Sequence, residues 1–327
     1  MSKRRKCVQN DQHMTPEPAV KECVDFFTRC FSLNTFDLIV EPSCGEGSFV
    51  REIRKRTNVP IDAVDIEPKI EPTSVDDTRV IKSDFIKYSP ENERQNILVI
   101  GNPPFGKNSN TAFDFVNRAA VYAKLIAFVV PGIWAKPHFF ANCRIDPYWH
   151  ICGMSPMLKR DLYKATTMRT IFVILKKGEF LREPIKLPKR HPDFDFLGPV
   201  LVEDASGGKP RKFRTPDLDK WELAIRTKGW RKTGVVKKQA ELMAKKEKWA
   251  PDAFIFIKVS SGKDVEDVFN TLEKARKELR DCAKMGSCQD SLTLGEIVKA
   301  YENALNEDNE SDISGCSSND DADLEEK

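Results

Sequence analysis

Between about 36 and 176 the sequence alternates short apolar runs with segments of helical period, and this alternation restricts the fold more than any other feature. The runs are FDLIVE (36–41), IDAVDI (61–66), TRVIKS (78–83), NILVIG (96–101), KLIAFVVP (124–131) and MRTIFVILKK (168–177). The first, fourth and fifth are apolar almost throughout, as in parallel strands covered on both faces. Helical segments fall between them at 46–57, 111–122 and 156–165. Repeated strand–helix–strand units predict an α/β fold with a Rossmann-like, doubly wound, mostly parallel sheet. Ahead of it, PEPAVKECVDFFTRCF (16–31) reads as a helix with Thr15 as N-cap and Pro16 in its first turn.

Beyond 180 the pattern changes. Residues 183–216 are rich in proline and glycine, followed by elements at 219–228, 234–248, 253–260 and 264–284 and an amphipathic helix at 291–305. The expected organisation is a basic arm (1–10), the main domain (11–182), a smaller basic C-terminal appendage (183–305) and a disordered acidic tail (306–327).

Charge is divided along the chain. The net charge of +3 hides a tail, 306–327, with nine acids and one lysine. Residues 205–250 hold fourteen Lys and Arg against five acids, with Phe213, Trp221, Trp230 and Trp249 interleaved. Cations for phosphates and flat rings for bases make this stretch a candidate nucleic-acid surface, although the rings would equally serve a small core. The nine cysteines are scattered and form no CxxC pair, which points to free thiols in a reducing, intracellular compartment, cytoplasmic or nuclear. Neither cysteines nor histidines suggest a metal. No run approaches the roughly 20 apolar residues of a membrane helix.

The first strand leads into EPSCGEGSF (41–49), where small residues let a ligand approach the backbone at a helix start. Asp65 ends the second strand about twenty residues later, where a Rossmann-like site places a carboxylate for ribose hydroxyls. The glycines are too few for a dinucleotide fingerprint. Glu41 would repel a pyrophosphate but suits an ammonium, so S-adenosylmethionine is favoured over a nicotinamide dinucleotide. Asp84 ends the third strand and would accept from an adenine amine, with Phe85 or Ile66 packing the ring; Asp84 as a turn cap is the plainer alternative.

The fourth strand ends in GNPPFG (101–106). Proline fixes φ and carries no N–H, so the loop offers rigid acceptors, the Asn102 side chain and the Pro103 carbonyl, beside the Phe105 ring. Two acceptors suit a planar –NH2 on a conjugated ring. Binding both amine hydrogens would free the nitrogen lone pair for attack on a methyl group. Trp134, Phe139 and Phe140, in PGIWAKPHFF (131–140), would supply a second face around an extruded base or simply cover the sheet.

Together, TPEPAV (15–20), EPSCGEGSF, DIEP (65–68), SDF (83–85) and GNPPFG resemble the class I S-adenosylmethionine-dependent amino-methyltransferases, specifically the adenine methyltransferases of DNA with the gamma motif order. The resemblance covers roughly 11–180. It implies that Thr15 and Pro16 border the methionine end of the cofactor. It further implies that Glu41, Pro42, Gly45 and Gly47 form the glycine loop and that Asp65 holds the ribose. Asp84 and Phe85 would hold the adenine, and Asn102, Pro103, Pro104 and Phe105 the target base. Departures are His13-Met14, where the family often has an aromatic, and Phe105, where Tyr is commoner. The expected activity is N6-adenine methylation of DNA with base flipping. Adenine in RNA is the near alternative; a protein glutamine methyltransferase and an inactive nucleic-acid-binding subunit rank lower. The sequence leaves oligomeric state and recognition sequence open.

Overall fold

A computed structural model describes residues 15–70, 77–91, 96–156, 158, 169–202, 212–229, 233–244, 250–285 and 291–314. The basic arm at 1–10, His13-Met14, Trp230, Trp249 and nearly all of the helix expected at 156–165 lie outside them. The chain divides into two compact units, Met1–Ile185 and Lys186–Lys327.

Unit one opens with α1 (Glu17–Cys30), whose Ala19, Val20, Cys23, Val24 and Phe27 recur at helical spacing and are buried. Its N-cap is Pro16, with no side-chain cap bond, so Thr15 is not the cap expected from the sequence. There follow β1 (Leu38–Glu41), α2 (Ser48–Arg54), β2 (Ile61–Asp65), β3 (Thr78–Lys82), β4 (Ile97–Gly101), α3 (Asn110–Ala119), β5 (Leu125–Pro131), α4 (Pro137–Ala141), β6 (Trp149–Met154) and β7 (Thr170–Lys177). The seven strands form one sheet in the order β3-β2-β1-β4-β5-β7-β6. The first five are parallel; β7 runs antiparallel between β5 and β6. This is the Rossmann-like, doubly wound architecture expected from the sequence.

Strands β1, β2, β4 and β5 are buried at every residue. Ile39, Leu98 and Ala127 pack under α1 and α2, while Leu38, Val99 and Ile126 face α3 and Trp134. Both faces being covered explains why these runs are continuously apolar rather than alternating. The sequence reading missed β6. Beyond the buried Trp149 that edge strand is half-buried or exposed, and it shifts register between Ile151 and Gly153, so it offers no apolar run.

In unit two, β8 (Phe194–Leu197) is followed by β9 (Val200–Val202) and β10 (Lys212–Arg214), which pair as a separate ribbon. Then come β11 (Leu223–Arg226), β12 (Val236–Lys238), α5 (Gln239–Ala244), β13 (Phe254–Val259), α6 (Val265–Lys274), α7 (Arg276–Lys284) and α8 (Leu294–Ser314). An antiparallel sheet, β12-β11-β13-β8, packs Leu223, Ile225, Ile257 and Val259 against α6, α7 and α8. The single helix expected at 264–284 is two, joined at Ala275. The acidic tail expected to be disordered from 306 begins as helix, because α8 continues to Ser314. Past Gly295 in its first turn, no Pro or Gly occurs until Gly315. Among the described residues no helix is long and apolar enough to cross a membrane.

Candidate active site

The order of strands reverses between β1 and β4, and in open α/β sheets ligands bind at the carboxyl ends beside such a switch point. A cleft lies there. It is lined by Thr15, the 41–46 loop, Ser48 and Phe49, Asp65, Ile66 and Lys69, Ser83, Asp84 and Phe85, the 102–105 loop, and Phe115. Of the residues singled out in the sequence, Thr15, Glu41, Pro42, Gly45, Asp65, Ile66, Asp84, Phe85, Asn102, Pro103, Pro104 and Phe105 line it. Pro16 and Gly47 do not.

The β1 side is organised around Asp65. One carboxylate oxygen accepts from the Gly45 amide at 2.9 Å and the other from the Glu67 amide at 2.8 Å. Asp65 therefore shapes the glycine loop as well as facing the cleft. Gly45 has φ +48 and open space where a Cβ would stand, leaving the loop backbone accessible. Gly47 serves the fold instead. It is the left-handed N-cap of α2, and a Cβ there would fall 2.7 Å from Ile70 Cδ1.

Glu41 is 2% exposed, and its Oε2 has no hydrogen-bond partner among the described residues. Burial first, and the Asp65 charge second, push its carboxyl well above the ordinary glutamate range. The same burial, with Glu41 and Asp65 adding to it, pushes the Cys44 thiol up as well. Asp84 is exposed, and its side chain accepts from the Ile86 amide at 3.0 Å, so it both borders the cleft and caps a turn. Phe85 is 2% exposed and stacks on Phe115 at 5.1 Å, forming a floor. Ile66, by contrast, is 54% exposed.

On the β4 side, Asn102 Nδ2 donates to Thr15 Oγ1 at 2.8 Å, and Ser43 Oγ donates to the Asn102 carbonyl at 2.9 Å. The segment before α1 and the β1 loop thus both hold Asn102 in place. The flanking glycines serve the protein itself. A Cβ at Gly101 would stand 2.8 Å from Glu41 Oε1, so its absence lets Glu41 lie across the end of β4. Gly106 has φ +68 and ψ −179, a conformation essentially confined to glycine, and a Cβ there would clash with Thr111 Oγ1 at 2.1 Å.

Of the two uses open to Trp134, Phe139 and Phe140, covering the sheet is the one their burial fits, and none of the three lines this cleft. Trp134 is 1% exposed, stacks on Phe113 at 5.1 Å and donates to Ser109 Oγ at 3.2 Å. Phe140 is buried beneath the Arg182 guanidinium, and Phe139 packs partly buried on Phe113. These three rings cover the sheet. Phe105 lines the cleft yet is only 4% exposed and belongs to the core with Ile100, Ala127 and Phe49. In the basic stretch, Trp221 is core: it is 1% exposed and meets Phe256 edge-on at 4.8 Å. Phe213 remains 39% exposed.

Sequence reasoning missed Ser43, Cys44, Glu46, Ser48, Phe49, Lys69, Ser83 and Phe115 as lining residues. Ser43 and Cys44 could have been found, because they sit inside the glycine loop; Phe115 reaches the cleft only through the packing of α3.

No family model matches the chain, and no curated protein matches it. Among solved structures it is similar to a Listeria monocytogenes protein assigned to the class I S-adenosylmethionine-dependent methyltransferases, at 18% identity, with TM-score 0.40, over 55% of this chain and 66% of that one. It is also similar to the 23S rRNA methyltransferase ErmE, at 16% identity and TM-score 0.38, over 54% of this chain and 73% of that one. A third is the type I restriction-modification methyltransferase subunit of Streptococcus thermophilus, at 15% identity and TM-score 0.36, over 52% of this chain and 46% of that one. The first and third likenesses span less than two thirds of those proteins.

Proposed function

We propose that this protein transfers a methyl group from S-adenosylmethionine to the exocyclic amine of adenine in a nucleic acid, DNA by its motif order, on a base turned out of its stack. One observation carries the reading. The Asn102 side chain, at the end of β4, is tied to Thr15 across 87 residues and opens on the same cleft as Glu41, whose buried Oε2 has no partner among the described residues.

The cleft residues fit such a ligand. Glu41 offers a buried acceptor for an ammonium, Asp65 retains lone pairs toward ribose hydroxyls, and Ile66 with the Phe85 floor offers apolar surface to an adenine. When bound, the sulfonium supplies an electrophilic methyl group. Asn102 and the Pro103 carbonyl would accept from the two amine hydrogens, orient the nitrogen and stabilise the positive charge that grows on it as the N–C bond forms and the S–C bond breaks, leaving S-adenosylhomocysteine. The extra proton then leaves to solvent. No strong base is required, because the attacking amine is neutral.

The test is a side-by-side assay of labelled S-adenosylmethionine with single-stranded DNA, duplex DNA and RNA, identifying the methylated nucleoside. N6-methyladenine is expected, and the best substrate names the polymer. Asn102→Ala is expected to lower the transfer rate by about a thousandfold while S-adenosylhomocysteine still binds. Full activity in that variant would sink the assignment.

A further inference from the structure

Glu41 poses a problem that ligand placement alone does not solve. Its side chain is 2% exposed, and Gly101 lets it press against the end of β4. Asp65 lines the same cleft, and its oxygens already accept from the Gly45 and Glu67 amides. Two carboxylates sharing one buried site do not both ionise without a cation.

Each neighbouring element supplies few charges. The β1 loop contributes Glu46 and the Cys44 thiol, β2 contributes Asp65, the segment after it contributes Lys69, and the β3 end contributes Asp84. From the loop after β4 the cleft receives Asn102, Pro103, Pro104 and Phe105, and from the segment before α1 Thr15, none of which carries charge. Among the described residues Glu41 Oε2 accepts from no cation.

We infer that Glu41 is protonated in the ligand-free cleft and surrenders that proton to solvent when a ligand brings in its ammonium, so that the site selects its donor by a proton-for-cation exchange. This rests on the methyltransferase reading and deepens it. The balance is simple: the carboxylic acid loses H+ to water, the ligand –NH3+ takes its place beside the carboxylate, and no electrons move. At pH values where the amine is charged and Glu41 is not, affinity must rise with pH, by up to about tenfold per unit. A ligand with the same adenosine and thioether but no amine gains nothing from the exchange.

Calorimetric titration in buffers of differing ionisation enthalpy tests this, with S-adenosylhomocysteine and 5′-methylthioadenosine as probes. S-adenosylhomocysteine is expected to release about one proton at mildly acidic pH, and methylthioadenosine none. Glu41→Gln is expected to bind S-adenosylhomocysteine more weakly, with no proton released and a flat pH profile. The wild-type pH profile is an independent readout should that variant fold poorly. Binding of S-adenosylhomocysteine without proton release, or release that persists in Glu41→Gln, overturns the inference and leaves the proposed function standing. Failure of S-adenosylhomocysteine to bind at all overturns both.

Discussion

The two sides of the cleft were equally prominent in the sequence, yet they relate to the fold differently. On the β1–β2 side, Glu41, Gly45, Asp65 and Ile66 line the cleft where the motif spacing places them. On the β4–β5 side, Asn102 does so, but Trp134 and Phe140 are core and Phe105 lies within the core at the cleft wall. Carboxylates and left-handed glycines have few reasons to sit at a strand end other than a ligand or a turn. An aromatic ring has two uses, stacking on a base or filling a core, and in unit one the core took most of them.

The sharpest challenge to this contrast is Trp134→Ala. As a core residue its removal is expected to cost about 3–5 kcal/mol in denaturant unfolding. The milder Trp134→Phe should leave the KM for nucleic acid unchanged; a raised KM at unaltered stability would restore Trp134 to the base pocket. A smaller effect is expected at Glu41. A carboxyl pushed up by burial stabilises the fold below the ordinary value of 4.5 and loses that contribution as pH rises toward its folded value. Without ligand, wild type should therefore fall behind Glu41→Gln as pH increases, by on the order of 4 °C in Tm near neutrality. Parallel Tm curves across pH would mean that Glu41 titrates alike in the folded and the unfolded chain. The smallest effect is at Ile66. Being exposed, Ile66→Ala should leave stability within about 0.5 kcal/mol while weakening S-adenosylhomocysteine severalfold, measured by calorimetry. Lost stability with unchanged affinity would move Ile66 from the ligand to the fold.

The basic stretch shows the same ambiguity of aromatic rings in unit two. Within 205–250 lie β11, β12 and the core residue Trp221, so removing the segment would dismantle the antiparallel sheet. Its charge is a property of sequence; of its described rings, Trp221 is in the core and Phe213 at the surface.

Much of unit one was legible. Six of its seven strands announced themselves as apolar runs, and the seventh, β6, stayed hidden because an edge strand with a bulge need not be apolar on both sides. The helical continuation to Ser314 was hidden for the opposite reason: an acidic, polar sequence looks unstructured, yet a helix already docked through Ile297, Val298 and Tyr301 can propagate through it.

By itself the sequence determined the doubly wound sheet, the glycine loop and the carboxylates at the strand ends, because period and residue chemistry are local properties. Only the tertiary structure decided that Thr15 holds Asn102 rather than capping α1, that Gly101 makes room for Glu41, and that Trp134 serves the core. Each of these depends on residues distant in the chain competing for the same space, a competition that local pattern does not record.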